Sequence, residues 1–277
     1  MNNRVTLNDS TVIPQLGLGV WKMRGEEAIR AVRSAIDAGY RHIDTAAIYQ
    51  NEEEVGRAIA DAIAAGDITR EELFVTTKLW NNQQHEPKEA FAQSLQRLGL
   101  DYVDLYLVHW PYPKKGLSTA AFEAIAEIQG LGTIQSIGVS NYYPEALDKL
   151  IQATGITPSV NQIELHPGFS QAEQRADNAR RGIATESWSP LGQGEVLSHP
   201  VLQEIAQECG RSVAQVALRW NVQLGNIVIP KSSNPERIAH NAEIFEFELS
   251  AAQMERITAL DTPDGRVGPD PRNYPED

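Results

Sequence analysis

Four residues that are far apart in the chain carry groups able to deliver a proton to a polarised oxygen. Asp44 follows the apolar run 41–43, Lys78 follows 73–77, His109 follows 103–108, and Tyr49 stands five residues after Asp44. A free phenol ionises near pH ~10, too high for efficient proton donation at neutral pH. A neighbouring ammonium favours phenolate and lowers that value. A carboxylate holds the ammonium in place and charged. A neutral imidazole donates a hydrogen bond to a substrate oxygen. Together the four suit protonating a carbonyl oxygen while its carbon accepts a nucleophile. Singly, each has an ordinary reading: Asp44 in a turn, Tyr49 in packing, His109 as a bonded core histidine. Lys78 resists one, because an unpaired buried lysine is costly.

The elements around these residues are what would bring them together. Short runs rich in β-formers occur at 41–43, 73–77, 103–108, 133–139, 159–163, 183–187 and 226–229, with the Gly-rich 16–20 as an eighth. Segments with helical apolar spacing lie between them, at 26–38, 51–65, 87–98, 118–129, 144–153, 171–181, 200–208, 212–223 and 250–260. Asn51 reads as an N-cap, and Pro87 and Gly99 as a helix start and stop. Strand and helix alternate throughout, which favours parallel βαβ units. Eight such units predict an α/β fold, a (β/α)8 barrel. Residues 4–13, with Asn8-Asp9-Ser10 at the centre, predict an N-terminal β-hairpin closing the barrel bottom. An open doubly wound sheet is the competing fold, but neither Gly17-x-Gly19 nor Gly192-x-Gly194 completes a dinucleotide fingerprint. In a barrel, Asp44, Lys78 and His109 end consecutive strands at the C-terminal rim, where barrel active sites sit.

Composition narrows the partners. Among 277 residues, 24 Lys+Arg stand against 37 Asp+Glu, a net charge of −13, which opposes nucleic acid and anionic membranes. The hydrophobic fraction of 42% fits a globular chain with a substantial core. Cys209 has no partner for a disulfide, and no metal-ligand spacing appears, so His42, His85, His166, His199 and His240 read as structural. No secretory leader or membrane-spanning stretch is evident, no linker divides residues 1–277, and one cytoplasmic, monomeric domain is expected.

The chain resembles the aldo-keto reductases, and within them the prokaryotic 2,5-diketogluconate reductase-like group. The matching stretches are GLGVW (17–21), GYRHIDTAAIYQNEEEVG (39–56), TKLWN (77–81), DYVDLYLVHWP (101–111), SIGVSN (136–141), NQIELHP (161–167), SPLGQG (189–194) and IPKSSNPERIAHN (229–241). The resemblance implies a (β/α)8 barrel and NADPH-dependent reduction of a small-molecule carbonyl substrate. It implies a catalytic tetrad of Asp44, Tyr49, Lys78 and His109, with Tyr49 the general acid. It places Ser140, Asn141 and Gln162 on the nicotinamide carboxamide and Asn241 on the adenine, with His240 where many relatives have Glu.

Other residues support a cofactor pocket by their own chemistry. Trp188 offers the nicotinamide a flat face. Ser189, Leu191, Gly192 and Gln193 form a loop over the pyrophosphate. Lys231, Ser232, Ser233 and Arg237 surround the opening of a helix capped near Asn234-Pro235, which favours a phosphate. In so acidic a chain this cluster points to the 2′-phosphate of NADPH. Trp21, Trp80 and Trp110, with Tyr49 and His109, are expected to line the substrate mouth. The Pro-rich tail 262–277 is expected to be extended and to leave the site open, with Arg266 or Arg272 as partners for a substrate carboxylate. Two other functions compete: a cofactor-binding protein with vestigial chemistry, and a Schiff-base lyase using Lys78.

Overall fold

A computed structural model of the chain describes residues 3–274. The first strands, β1 (Arg4–Thr6) and β2 (Val12–Pro14), pair antiparallel with Val5 opposite Ile13. Their turn is set by Ser10 at φ 72° and by the Asp9 carboxylate accepting from Thr11 N. Ile13 is fully buried with Leu7, Phe74, Leu105, Leu107, Val160 and Ile227, so the hairpin plugs one end of the barrel.

Eight strands follow, each hydrogen-bonded to the next and all parallel: β3 (Leu18–Gly19), β4 (His42–Asp44), β5 (Phe74–Leu79), β6 (Val103–Val108), β7 (Ile134–Ser140), β8 (Val160–Glu164), β9 (Ala184–Trp188) and β10 (Ile227–Val228). The last strand returns to the first. Gly17 N donates to Val228 O at 2.9 Å, Val228 N to Gln15 O at 2.9 Å and Gly19 N to Pro230 O at 3.1 Å. These bonds close the sheet and remove its edges, giving the (β/α)8 barrel.

The outer ring is α1 (Gly25–Asp37), α2 (Glu52–Ala65), α3 (Pro87–Leu98), α4 (Ser118–Gln129), α5 (Pro144–Thr154), α6 (Ala172–Arg180), α7 (Pro200–Cys209), α8 (Val213–Gln223), α9 (Pro235–Ala242) and α10 (Ala251–Thr258). The long interval before β10 holds two helices, α7 and α8, which accounts for its departure from the βα rhythm. Pro87 opens α3, and Gly99 ends it at φ 62°. Apolar helix faces meet the outside of the sheet; Ile29, Val32 and Ile36 of α1 are all buried there.

Asn51 departs from its expected role. Its side chain makes no cap bond to α2. Its amide nitrogen donates to Val20 O and Met23 O, each at 2.9 Å, and its oxygen accepts from Thr45 Oγ1 at 2.7 Å. It ties the loops after β3 and β4 together, a use that outweighs a single cap bond. Among the described residues no helix is long and apolar enough to cross a membrane.

Candidate active site

Asp44 is the last residue of β4, Lys78 lies one residue from the end of β5, and His109 directly follows β6. All three therefore stand at the C-terminal rim of adjacent strands. Tyr49 ends a short 3-10 turn, residues 47–49, that bends back over this rim. Lys78 Nζ donates to Asp44 Oδ1 at 2.6 Å and to Thr45 O at 2.9 Å. Tyr49 stands beside this ammonium, with its ring centroid 5.1 Å from Lys78 Nζ. His109 presents its ring edge-on to Tyr49, with centroids 5.9 Å apart. The four residues meet in one cluster, Asp44, Lys78 and His109 buried and Tyr49 half-buried.

Their electrostatics follow from that burial. Burial works against the Lys78 ammonium, but Asp44 and Tyr49 beside it hold its pKa above the ordinary lysine value. Burial pushes the Asp44 carboxyl up, while the Lys78 ammonium and the Gln162 amide pull it down. Tyr49 departs from the sequence expectation. Burial raises its pKa more than Lys78 lowers it, so the phenol holds its proton at neutral pH. His109 is held well below the usual histidine value, by burial first and then by the Lys78 charge, and is neutral. Its Nδ1 is sealed without a partner, which leaves the Nε2 edge for a ligand.

Deeper in the barrel Gln162 meets a group the sequence reading left out, Glu186. Gln162 on β8 donates from Nε2 to Asp44 Oδ2 at 2.8 Å and to Glu186 Oε2 at 2.7 Å. Glu186 is fully buried on β9, and its Oε1 lies 3.6 Å from His42 Nε2. Burial and Asp44 push the Glu186 carboxyl up to about 8. Burial and the Lys78 charge push His42 down to about 3. The available signal was a carboxylate inside a predicted barrel strand, where an unpaired charge is costly.

The residues expected around a cofactor form a continuous arc. Ser140 Oγ donates to Gln162 O at 2.8 Å. Asn141, at φ 66°, donates to His109 O and Ser140 Oγ, each at 3.0 Å, and accepts from Trp188 Nε1 at 2.8 Å. Trp188 is half-buried at the end of β9. Ser189 and Gln193 have left-handed backbone, φ 48° and 53°, in the loop that also holds Leu191 and Gly192. Such conformations concentrate at ligand-holding segments. Lys231, Ser233 and Arg237 are exposed around the start of α9, while Ser232 and Asn241 are buried. Asn234 caps that helix by accepting from Arg237 N at 3.0 Å. Among the described residues neither Lys231 nor Arg237 pairs with a carboxylate.

The mouth is built from indoles and from the C-terminal tail. Trp80 and Trp110 are buried beside His109, with ring centroids 5.1 and 6.4 Å from it. Trp21 is 41% exposed under the Lys22 ammonium, and no ring contact among the described residues ties it to the other two indoles. The third aromatic is Tyr274, whose ring lies 4.3 Å from Trp110 and 6.2 Å from Trp80. The tail therefore crosses the mouth instead of leaving it open. Glu164, at the end of β8, holds the tail by accepting from Val267 N at 2.6 Å and Gly268 N at 3.0 Å. Arg266 is engaged with Tyr143 and Glu164, and Arg272 with Asp270. Local charges engage both guanidiniums within the fold.

Residues 15–262 match the model of the aldo/keto reductase family. The chain is 54% identical to an aldo-keto reductase of Mycolicibacterium smegmatis, over 99% of this chain and 98% of that protein. It is 47% identical to the methylglyoxal reductase DkgA of Escherichia coli, over 98% and 97% of the two chains. A crystal structure of a Gox0644 variant in complex with NADPH superposes with a TM-score of 0.94 at 42% identity, covering 100% of both chains. On the closed barrel, the family match and these relatives together, the chain belongs to the aldo/keto reductase family.

Proposed function

We propose that this chain is an NADPH-dependent carbonyl reductase in which Tyr49 is the general acid. The observation that carries the reading is the Lys78 ammonium, which donates to Asp44 and to Thr45 O and lies 5.1 Å from the centroid of the Tyr49 ring. A proton-bearing phenol beside a fixed cation suits transfer to an oxygen gaining negative charge, because the cation stabilises the phenolate left behind. His109, neutral, orients the carbonyl oxygen through Nε2. Trp80, Trp110 and Tyr274 exclude water and give the substrate an apolar wall.

The residues present fit the cofactor. Lys231 and Arg237, cations unpaired among the described residues and beside Ser232 and Ser233, would hold the 2′-phosphate. Trp188 would stack on the nicotinamide, Gln162 Oε1 and Asn141 would meet its carboxamide, Asn241 would face the adenine, and the loop of Ser189, Leu191, Gly192 and Gln193 would cross the pyrophosphate. When bound, a reduced nicotinamide supplies the hydride that the carbonyl carbon receives. The substrates are small ketones, aldehydes or dicarbonyls of the methylglyoxal, 2,5-diketogluconate or β-keto ester type, the first of which is supported by the methylglyoxal reductase relatives.

The test is a panel of these carbonyls followed by loss of NADPH absorbance and repeated with NADH. The expected result is turnover of several dicarbonyls, faster with NADPH. Tight NADPH binding with no turnover across the panel would replace this reading with that of a cofactor-binding protein.

A further inference from the structure

The barrel interior holds a carboxyl that proton delivery does not use. Glu186 stands opposite Gln162 of β8 and Ile227 of β10 in the strand register. The charged and titratable groups facing it are Asp44 and His42 from β4 and Lys78 from β5; Gln162 from β8 is its hydrogen-bond partner. A primary amide nitrogen has two hydrogens. Those of Gln162 are both committed, at 2.8 Å to Asp44 Oδ2 and at 2.7 Å to Glu186 Oε2. Turning the amide over would set its oxygen against both acceptors, so its orientation is fixed by chemistry. The side-chain oxygen of Gln162, Oε1, accepts no bond among the described residues and is not one of the sealed, unpartnered atoms of the interior. It remains for a donor outside the chain. With Asp44 alone, the amide would pivot about a single bond.

We propose that Glu186 is a positioning residue for the nicotinamide end of the cofactor: with Asp44 it clamps the Gln162 side-chain amide nitrogen and so presents Gln162 Oε1 to the carboxamide N–H of NADPH. This rests on the cofactor assignment of Gln162 made above. Glu186 performs the role as a carboxylic acid, since a second carboxylate beside Asp44 would set two negative charges against the one Lys78 ammonium. The acid still accepts through Oε2.

The test compares the affinities of NADPH and of its 3-acetylpyridine analogue, which has a methyl ketone in place of the carboxamide and no N–H to offer. Binding to the full chain is read by tryptophan fluorescence or calorimetry, without turnover. Wild type binds NADPH tighter than the analogue by about tenfold, the worth of one well-placed hydrogen bond. In Glu186→Leu that ratio falls toward one through weaker NADPH binding, while analogue affinity stays within about twofold. Glu186→Ala is the second variant, with the same expected outcome should the leucine not be accommodated. Glu186→Gln keeps the ratio, because its amide oxygen accepts in the same place. A wild-type ratio retained in both Glu186→Leu and Glu186→Ala overturns the proposal while leaving the reductase reading intact. A wild type that does not discriminate between the two dinucleotides overturns it as well, for there is then no carboxamide contact to position. A wild type that binds neither dinucleotide overturns both readings.

Discussion

Lys78 Nζ lies 2.6 Å from Asp44 Oδ1 with both side chains sealed inside the barrel. Removing one partner of such a pair leaves an uncompensated charge. Asp44→Leu is therefore expected to destabilise the fold by about 3–5 kcal/mol, and Asp44→Leu with Lys78→Met by less than Asp44→Leu alone. Urea unfolding of wild type, single and double variants checks this. A loss under about 1 kcal/mol in the single variant would mean that the ammonium finds its stabilisation elsewhere.

Two buried groups set opposite slopes of stability against pH. His42 is at about 3 in the fold against an ordinary 6.5, so the unfolded chain takes up a proton that the folded ring refuses, and stability is lost as pH falls from 6.5 toward 3. His109, also lowered, adds to this acid side. Glu186 is at about 8 against 4.5, so its contribution is present below pH 4.5 and lost as pH rises toward 8. Each slope is about 1.4 kcal/mol per pH unit over its range. The unfolding free energy should be greatest between pH 4.5 and 6.5 and fall on both sides. Glu186→Gln should remove the alkaline decline; the same decline in that variant would assign it to another group.

At the start of α9, Arg237 is exposed and unpaired among the described residues. Arg237→Ala is expected to raise the KM for NADPH about tenfold to a hundredfold and to leave that for NADH unchanged, since only the former carries the 2′-phosphate. Parallel kinetics with the two cofactors check it. Equal effects on both would move the phosphate site away from α9.

The tail depends on the close approach of Gly268. A Cβ there would overlap Trp188 Cη2 and stand 2.9 Å from Glu164 Oε2. Gly268→Val should release residues 262–274 and expose the bonds after Arg266 and Arg272. Trypsin should cleave the variant about tenfold faster or more, with global stability little changed. Unaltered cleavage would show that the tail is held chiefly by its aromatic contacts at Tyr274.

Much of this was legible in the sequence because barrels write their active sites at strand ends. Alternating apolar runs and helical spacings gave eight βα units and the hairpin, and the residues after three runs gave Asp44, Lys78 and His109. The tail was not legible: its position depends on Glu164 catching two backbone N–H groups and on Tyr274 meeting Trp110, contacts with no local sequence signal. The exposure of Trp21 was not legible either, because following a strand does not decide which way a side chain leaves the rim. The sign of the Tyr49 shift was missed because burial outweighs the neighbouring cation, a balance of magnitudes that residue types alone do not give.

The central claim is that the Tyr49 hydroxyl delivers the proton beside Lys78. Tyr49→Phe removes one oxygen and keeps the ring against His109. The account predicts NADPH affinity within about twofold of wild type, and single-turnover reduction of methylglyoxal slowed by about a hundredfold to ten-thousandfold. Reduction at the wild-type rate in that variant would contradict it, because no phenol would then be delivering the proton.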